Sequence, residues 1–210
     1  QISGGSLTAT AASIGASNAR LNTNIDTLNA LASTGDVYIS EQNGLTLANV
    51  NAGRDIGVTS VAGDIVVNTV AATNAVTLTA TSGAIADDGD DSTRLSADAL
   101  TLSARSMGAA STLSGTTLDS SARLDTEVDT LSATATAGGI FIVEADGLQN
   151  VSVQASGGDA GDIELLTLTG DLILQRVSAS DTLLLAAGRN IFAAPGAGPV
   201  KARVAELRAG

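Results

Sequence analysis

The chain has no cysteine, no histidine and no tryptophan, and of its 210 residues only one is Tyr, two are Phe, two are Pro and one is Met. Each absence removes a class of chemistry. Without Cys or His, zinc, haem and iron–sulfur ligation lose their usual ligands. Ser-His-Asp and Cys-His catalysis go with them. At 1% aromatic content a core cannot be filled by large rings, so the interior must be thin and built from small and branched aliphatics. Scarce Pro argues against a Pro-rich linker. No apolar run reaches the ~20 residues that span a bilayer, and no signal peptide is visible. Basic residues are also few: 10 against 22 acidic, for a net charge of −12. Nine of the ten are Arg, and they are scattered. Such a chain repels nucleic acid and anionic membranes. The lack of Cys suits a large secreted bacterial protein, where a stray thiol is a liability.

What is abundant is Gly, Ala, Ser, Thr and branched aliphatics, and they are arranged in a duplication. Ala19-Arg20-Leu21-Asn22-Thr23-Asn24-Ile25-Asp26-Thr27-Leu28 returns 103 positions on as Ala122-Arg123-Leu124-Asp125-Thr126-Glu127-Val128-Asp129-Thr130-Leu131. Residues 35–45 match 138–148 at the same offset, and Gly63-Asp64-Ile65-Val66-Val67 meets Gly170-Asp171-Leu172-Ile173-Leu174 at an offset of 107. Duplication on this scale points to a stacked, extended architecture. The copies run over 1–94 and 95–203. Residues 204–210 read as the start of a further one, so the chain is expected to be a segment of a longer protein. Copy two carries extra residues around 110–119 and four more around 156–160, expected as surface loops.

A shorter period lies inside the long one. Gly35, Gly44, Gly53, Gly63 and Gly83 each precede a short apolar run and stand 9, 9, 10 and 20 residues apart. Two steps make a unit of 19–20 residues, a solenoid coil. Asn74-Ala75-Val76-Thr77-Leu78-Thr79-Ala80-Thr81 alternates with a period of two, as a half-buried strand does. The repeated Gly-Asp pairs read as corners: Gly supplies positive φ, and Asp accepts from N–H groups that leave the ladder. Leu21, Ile25, Leu28 and Leu31 have helical spacing. The second copy has Ser132-Ala133-Thr134-Ala135-Thr136 there, which favours a strand, and both copies are read as strand. The expected fold is all-β: one continuous parallel β-helix of about eleven coils, a rod of roughly 50 Å. Tandem β-sandwich domains of ~100 residues are the alternative.

The repeat Val128-Asp129-Thr130-Leu131-Ser132-Ala133-Thr134-Ala135, followed by residues 138–148, resembles the repeat region of large filamentous-haemagglutinin-like bacterial surface proteins. Residues 25–44 are the other instance. The resemblance covers nearly the whole chain, in repeat style. It implies a right-handed parallel β-helical shaft and an exported protein at the outer cell surface or outside the cell, serving adhesion, biofilm or cell contact. The partners it implies are further copies of the repeat, including self-assembly into fibres, and a host-cell, glycan or neighbouring-cell surface. Neither nucleic acid nor membrane insertion is among them.

Four local patterns invite chemistry. Asp87-Asp88-Gly89-Asp90-Asp91-Ser92-Thr93 offers oxygen ligands for Ca²⁺, without the spacing of an EF-hand. Copy two has Ala193-Ala194-Pro195-Gly196-Ala197-Gly198 in its place, and the bland reading is a solvated acidic loop. Gly157-Gly158-Asp159-Ala160-Gly161-Asp162-Ile163 is one poor copy of a calcium nonapeptide that functions only in tandem. Asp87, Asp91 and Arg94 would be the acid–base group of a polysaccharide-active β-helix enzyme, a reading disfavoured by the missing aromatics and His. Thr77, Thr79 and Thr81 would suit an ice-binding face only if Thr recurred at one place in successive coils. Thr59 and Thr69 do not show that regularity, and strand propensity explains them. The sequence therefore reads as a structural shaft and not an enzyme, with no residue assigned a catalytic, cofactor-binding or metal-ligating role. A calcium-dependent binding module and a secreted polysaccharide-active enzyme are the alternatives.

Overall fold

Alternation decides the architecture. In Ala75–Ala80, Val76, Leu78 and Ala80 are buried while Ala75, Thr77 and Thr79 lie on the outer surface. A computed structural model describes residues 1–110 and 122–210. It arranges eighteen strands in one continuous sheet that winds as a parallel β-helix of about ten turns. Every pairing between these eighteen strands is parallel, which sets the β-sandwich alternative aside. Burying each inward Val, Leu or Ile contributes about 1.5–3 kcal/mol, and a single aliphatic core runs the length of the rod from Ile14 to Ala187.

Each coil crosses three ladders. One runs Ile39, Val58, Leu78, Leu102, Ala133, Val153, Val177, Val200. A second runs Leu45, Ile65, Ile85, Met107, Ile140, Ile163, Leu183, Ala205. The third runs Ala30, Val50, Val70, Leu95, Thr126, Glu144, Thr167.

These registers show that the two copies are not stacked in phase. The ladder through Ile39 reaches, in copy two, Ala133, the counterpart of Ala30. Ile142, the counterpart of Ile39, sits instead on Leu124, Leu165, Leu185 and Leu207. The ladder through Ala30 likewise arrives at Thr126, the counterpart of Thr23. Local pairing is the same in both copies, since Leu21 pairs with Ile39 as Leu124 pairs with Ile142. Copy two therefore meets the ladders of copy one in a different phase, because 103 residues do not make a whole number of turns.

The helical spacing of Leu21, Ile25, Leu28 and Leu31 belongs to a bent strand. Leu21–Ala32 pairs through 21–23 with Val37–Glu41 and through 27–32 with Leu45–Ala52. Thr23, Ile25, Leu28, Ala30 and Ala32 are buried, so alternation slips by one residue at the corner and then resumes. Leu31, which a helix would bury, is 46% exposed. Leu124–Ala135 bends in the same way.

The turn count falls short of eleven because surface excursions consume residues. The step from Val70 to Leu95 is longer than a coil, and so is the step from Leu102 to Ala133. The extra residues near 156–160 form an exposed 3₁₀ turn, Gly158–Ala160. Of the loop expected at 110–119, residues 111–119 lie outside the described residues.

The Gly-Asp corners work across coils. Asp64 Oδ1 accepts from the N–H of Ala84 at 2.7 Å, and Asp162 Oδ1 from Thr182 at 2.9 Å. Asp36 and Asp171 do the same for Asp55 and Asn190. Positive φ is not general at these corners. Gly63 takes φ +105°, whereas Gly83 needs its missing Cβ because the carbonyl of Gly63 in the coil above would collide with one.

Candidate functional site

Two groups of carboxylates stand out, one inside the rod and one on its flank. Inside, Glu41 and Glu144 occupy equivalent positions and are fully buried. Each ends a strand whose alternation, Val37-Ile39-Glu41 or Ile140-Ile142-Glu144, points it inward. Their role follows from the bent strands. Where Leu21–Ala32 changes partners, the N–H of Ile25 is left without a ladder carbonyl, and Glu41 accepts it at 3.2 Å. Glu41 also accepts from Thr23 Oγ1 at 2.6 Å and from the N–H groups of Gln42 and Asn43. Glu144 repeats this with Thr126 Oγ1 at 2.6 Å, the N–H of Val128 at 3.2 Å and that of Asp146. Burial pushes the Glu144 carboxyl up to about 7, against the pull of Thr126 and the backbone donors. These are corner staples that satisfy buried donors.

On the flank, the acidic loop carries its carboxylates folded onto its own chain. Asp87 accepts from the N–H of Gly89 at 2.7 Å, Asp88 from that of Asp90 at 3.1 Å, and Asp90 from Ser92. Thr93 Oγ1 donates to Asp88 at 2.8 Å. Among the described residues no three acidic side chains converge as metal ligands. Gly157–Ile163, the weak nonapeptide, is a corner in which Asp162 serves Thr182.

The structure does bring Asp91 and Arg94 together, and it adds Asp125 from the next coil. The three line a cleft of about 180 Å³ with Thr126 and Leu168. Asp125 Oδ2 is buried without a hydrogen-bond partner among the described residues. Desolvation, then the charges of Asp87 and Asp91, push the Asp125 carboxyl up to about 7, with Arg94 opposing. Desolvation likewise lifts Asp87 to about 6. Arg94 itself pairs with Glu127 at 2.9 Å. Carboxyls that titrate near neutrality beside an arginine can exchange protons with a bound molecule.

The threonines are more regular than sequence counting suggests. Thr59 stacks on Thr79, then on Ser103 and Thr134, while Thr77 stacks on Thr101 and Ser132. The excursions between coils hide this register from a fixed count of 20. Such cross-strand hydroxyl pairs stabilise a sheet. Thr69 lies on another face, beside Asn49.

Among the described residues no helix is long and apolar enough to cross a membrane. The chain matches no protein-family model, no curated protein and no solved structure.

Proposed function

We propose that this chain is a length of shaft in a large, exported, repetitive bacterial surface protein, of the filamentous-haemagglutinin-like kind that its repeat style resembles. The observation that carries the reading is the uninterrupted aliphatic core through both copies. A unit that follows itself out of phase and still continues the ladders is suited to building length. Stiffness comes from the ladders and the corner staples, and the net charge of −12 keeps neighbouring rods apart. The protein acts outside the cell or at its surface as an adhesin, fibre or matrix component. Its partners are further copies of the repeat and a host-cell, glycan or neighbouring-cell surface. Flow cytometry of intact source cells with antibody to this segment tests the placement. Staining of intact cells is the expected result, and staining only after permeabilisation contradicts it.

One observation favours a second reading, that of a polysaccharide-active enzyme: the cleft that brings Asp91 and Arg94 together with Asp125, whose carboxyl is raised to about 7. Release of reducing ends from polysaccharide, abolished by Asp125→Asn, would establish it.

A further inference from the structure

In an acidic chain the placement of unpaired cations is informative. Arg54, Arg94, Arg123, Arg189, Arg203 and Arg208 each have a carboxylate partner, and Arg20 lies over the ring of Tyr38. That leaves Arg105, Arg176 and Lys201 without an ion pair among the described residues. Two of these three meet at one place. Arg176 and Lys201, both exposed, line a cleft of about 370 Å³. Lys201 stacks directly on Ser178, two residues along the strand from Arg176.

The cleft is built at an outward excursion that both copies make at this place, acidic at residues 87–91 in copy one and without a carboxylate at 193–198 in copy two. Leu172–Ala179 pairs with Ile191–Ala193 and then, after an outward excursion, with Val200–Lys201. The excursion is fixed at both ends: Ala194 donates to the carbonyl of Leu174 at 2.8 Å and Gly198 to that of Gln175 at 2.9 Å. Gly198 and Pro199 form one wall, and Ser152 and Ser178 face them from the sheet. No carboxylate and no aromatic ring lines the cleft.

We propose that this cleft binds an acidic saccharide, a sugar chain bearing uronate carboxylates. The Arg176 guanidinium presents a planar fork that matches a carboxylate, and Lys201 adds a point charge beside it. Ser152, Ser178 and Gln175 supply donors and acceptors for sugar hydroxyls. The volume falls within the range of small-ligand clefts. Without an aromatic platform, affinity depends on the two cations and not on stacking. The inference is independent of the shaft reading, since a rod can carry such a site or lack it.

The test is titration calorimetry of the folded 210-residue chain with trigalacturonate, neutral xylotriose and inorganic phosphate, repeated on Arg176→Gln, Lys201→Gln and the control Arg54→Gln. Both positions are exposed, so unchanged thermal unfolding is expected, and it separates lost binding from lost fold. Trigalacturonate should bind, xylotriose and phosphate should not, and each cleft variant should weaken binding by about tenfold or more, the worth of one charged hydrogen bond. Arg54→Gln should bind as the parent does. Absence of trigalacturonate binding, binding unaffected by the cleft variants, or xylotriose binding equally well would each overturn the proposal. Equal binding of phosphate would show a plain anion site and overturn the saccharide assignment.

Discussion

Thr126 donates its hydroxyl hydrogen to Oε2 of Glu144 across 2.6 Å in the closed interior of the rod. Thr23 and Glu41 repeat the contact at the same distance in the other copy. A carboxylate in a lumen of Val, Leu and Ile is costly unless its oxygens are used. Here it replaces the ladder at a corner that the ladder cannot follow. Thr126→Val removes the hydroxyl donor and keeps the shape. It should cost about 1–3 kcal/mol in urea unfolding, and Thr23→Val should cost a similar amount, since the two sites are built alike.

The same carboxyl sets a pH dependence. Glu144 stands at about 7 in the fold against an ordinary 4.5, so folding favours its protonated form. Its contribution is complete below the unfolded value and is lost as pH rises from 4.5 to about 7. The shift corresponds to about 3 kcal/mol. Wild type should therefore lose stability across that window relative to Glu144→Gln, which cannot titrate there. Parallel pH profiles for the two proteins would contradict the assignment.

Asp64→Ala leaves the N–H of Ala84 without its acceptor one coil on. A loss of about 1 kcal/mol is expected. Asp98, exposed and without a side-chain hydrogen bond or ion pair among the described residues, serves as the control, and Asp98→Ala should be neutral within about 0.5 kcal/mol. Equal effects at the two positions would show that the corner aspartates do not bridge coils.

Gly108 sits at φ +58°, with the carbonyl of Phe141 2.5 Å from where a Cβ would be. Gly108→Ala should cost at least about 1–3 kcal/mol and lower the thermal midpoint. Gly4→Ala, with no atom within 4 Å of the added carbon, should leave the midpoint unchanged. Gly15, the counterpart of Gly108, has φ +71° against the carbonyl of Tyr38 and should behave as Gly108 does.

Much of this fold was legible because solenoid chemistry is local. The Gly-Asp corners, the alternation in residues 74–81 and the offsets of 103 and 107 led to the coil, the strands and the surface position of the insertion at 156–160. Register across excursions was not legible. The step from Leu78 to Leu102 is not 20 residues, so the stacking of Thr79 on Ser103 lay outside any fixed count. The different phase of copy two was hidden for the same reason, since duplicated sequence invites the assumption of duplicated faces. Glu41 and Glu144 did leave a signal, the inward parity of Val37-Ile39-Glu41 and Ile140-Ile142-Glu144. A charged residue at the end of a strand is ordinarily read as solvated. Asp125 left none, because its counterpart is Asn22 and the acids around it belong to a loop nearly forty positions earlier.

The central claim is that this chain gives length to a surface structure. It is tested most directly by electron microscopy of intact source cells labelled with gold-tagged antibody to this segment. The account predicts gold along fibres or a surface layer extending from the cell. Protein found free in the medium, with the cells unlabelled, would contradict it and bring the secreted-enzyme reading forward.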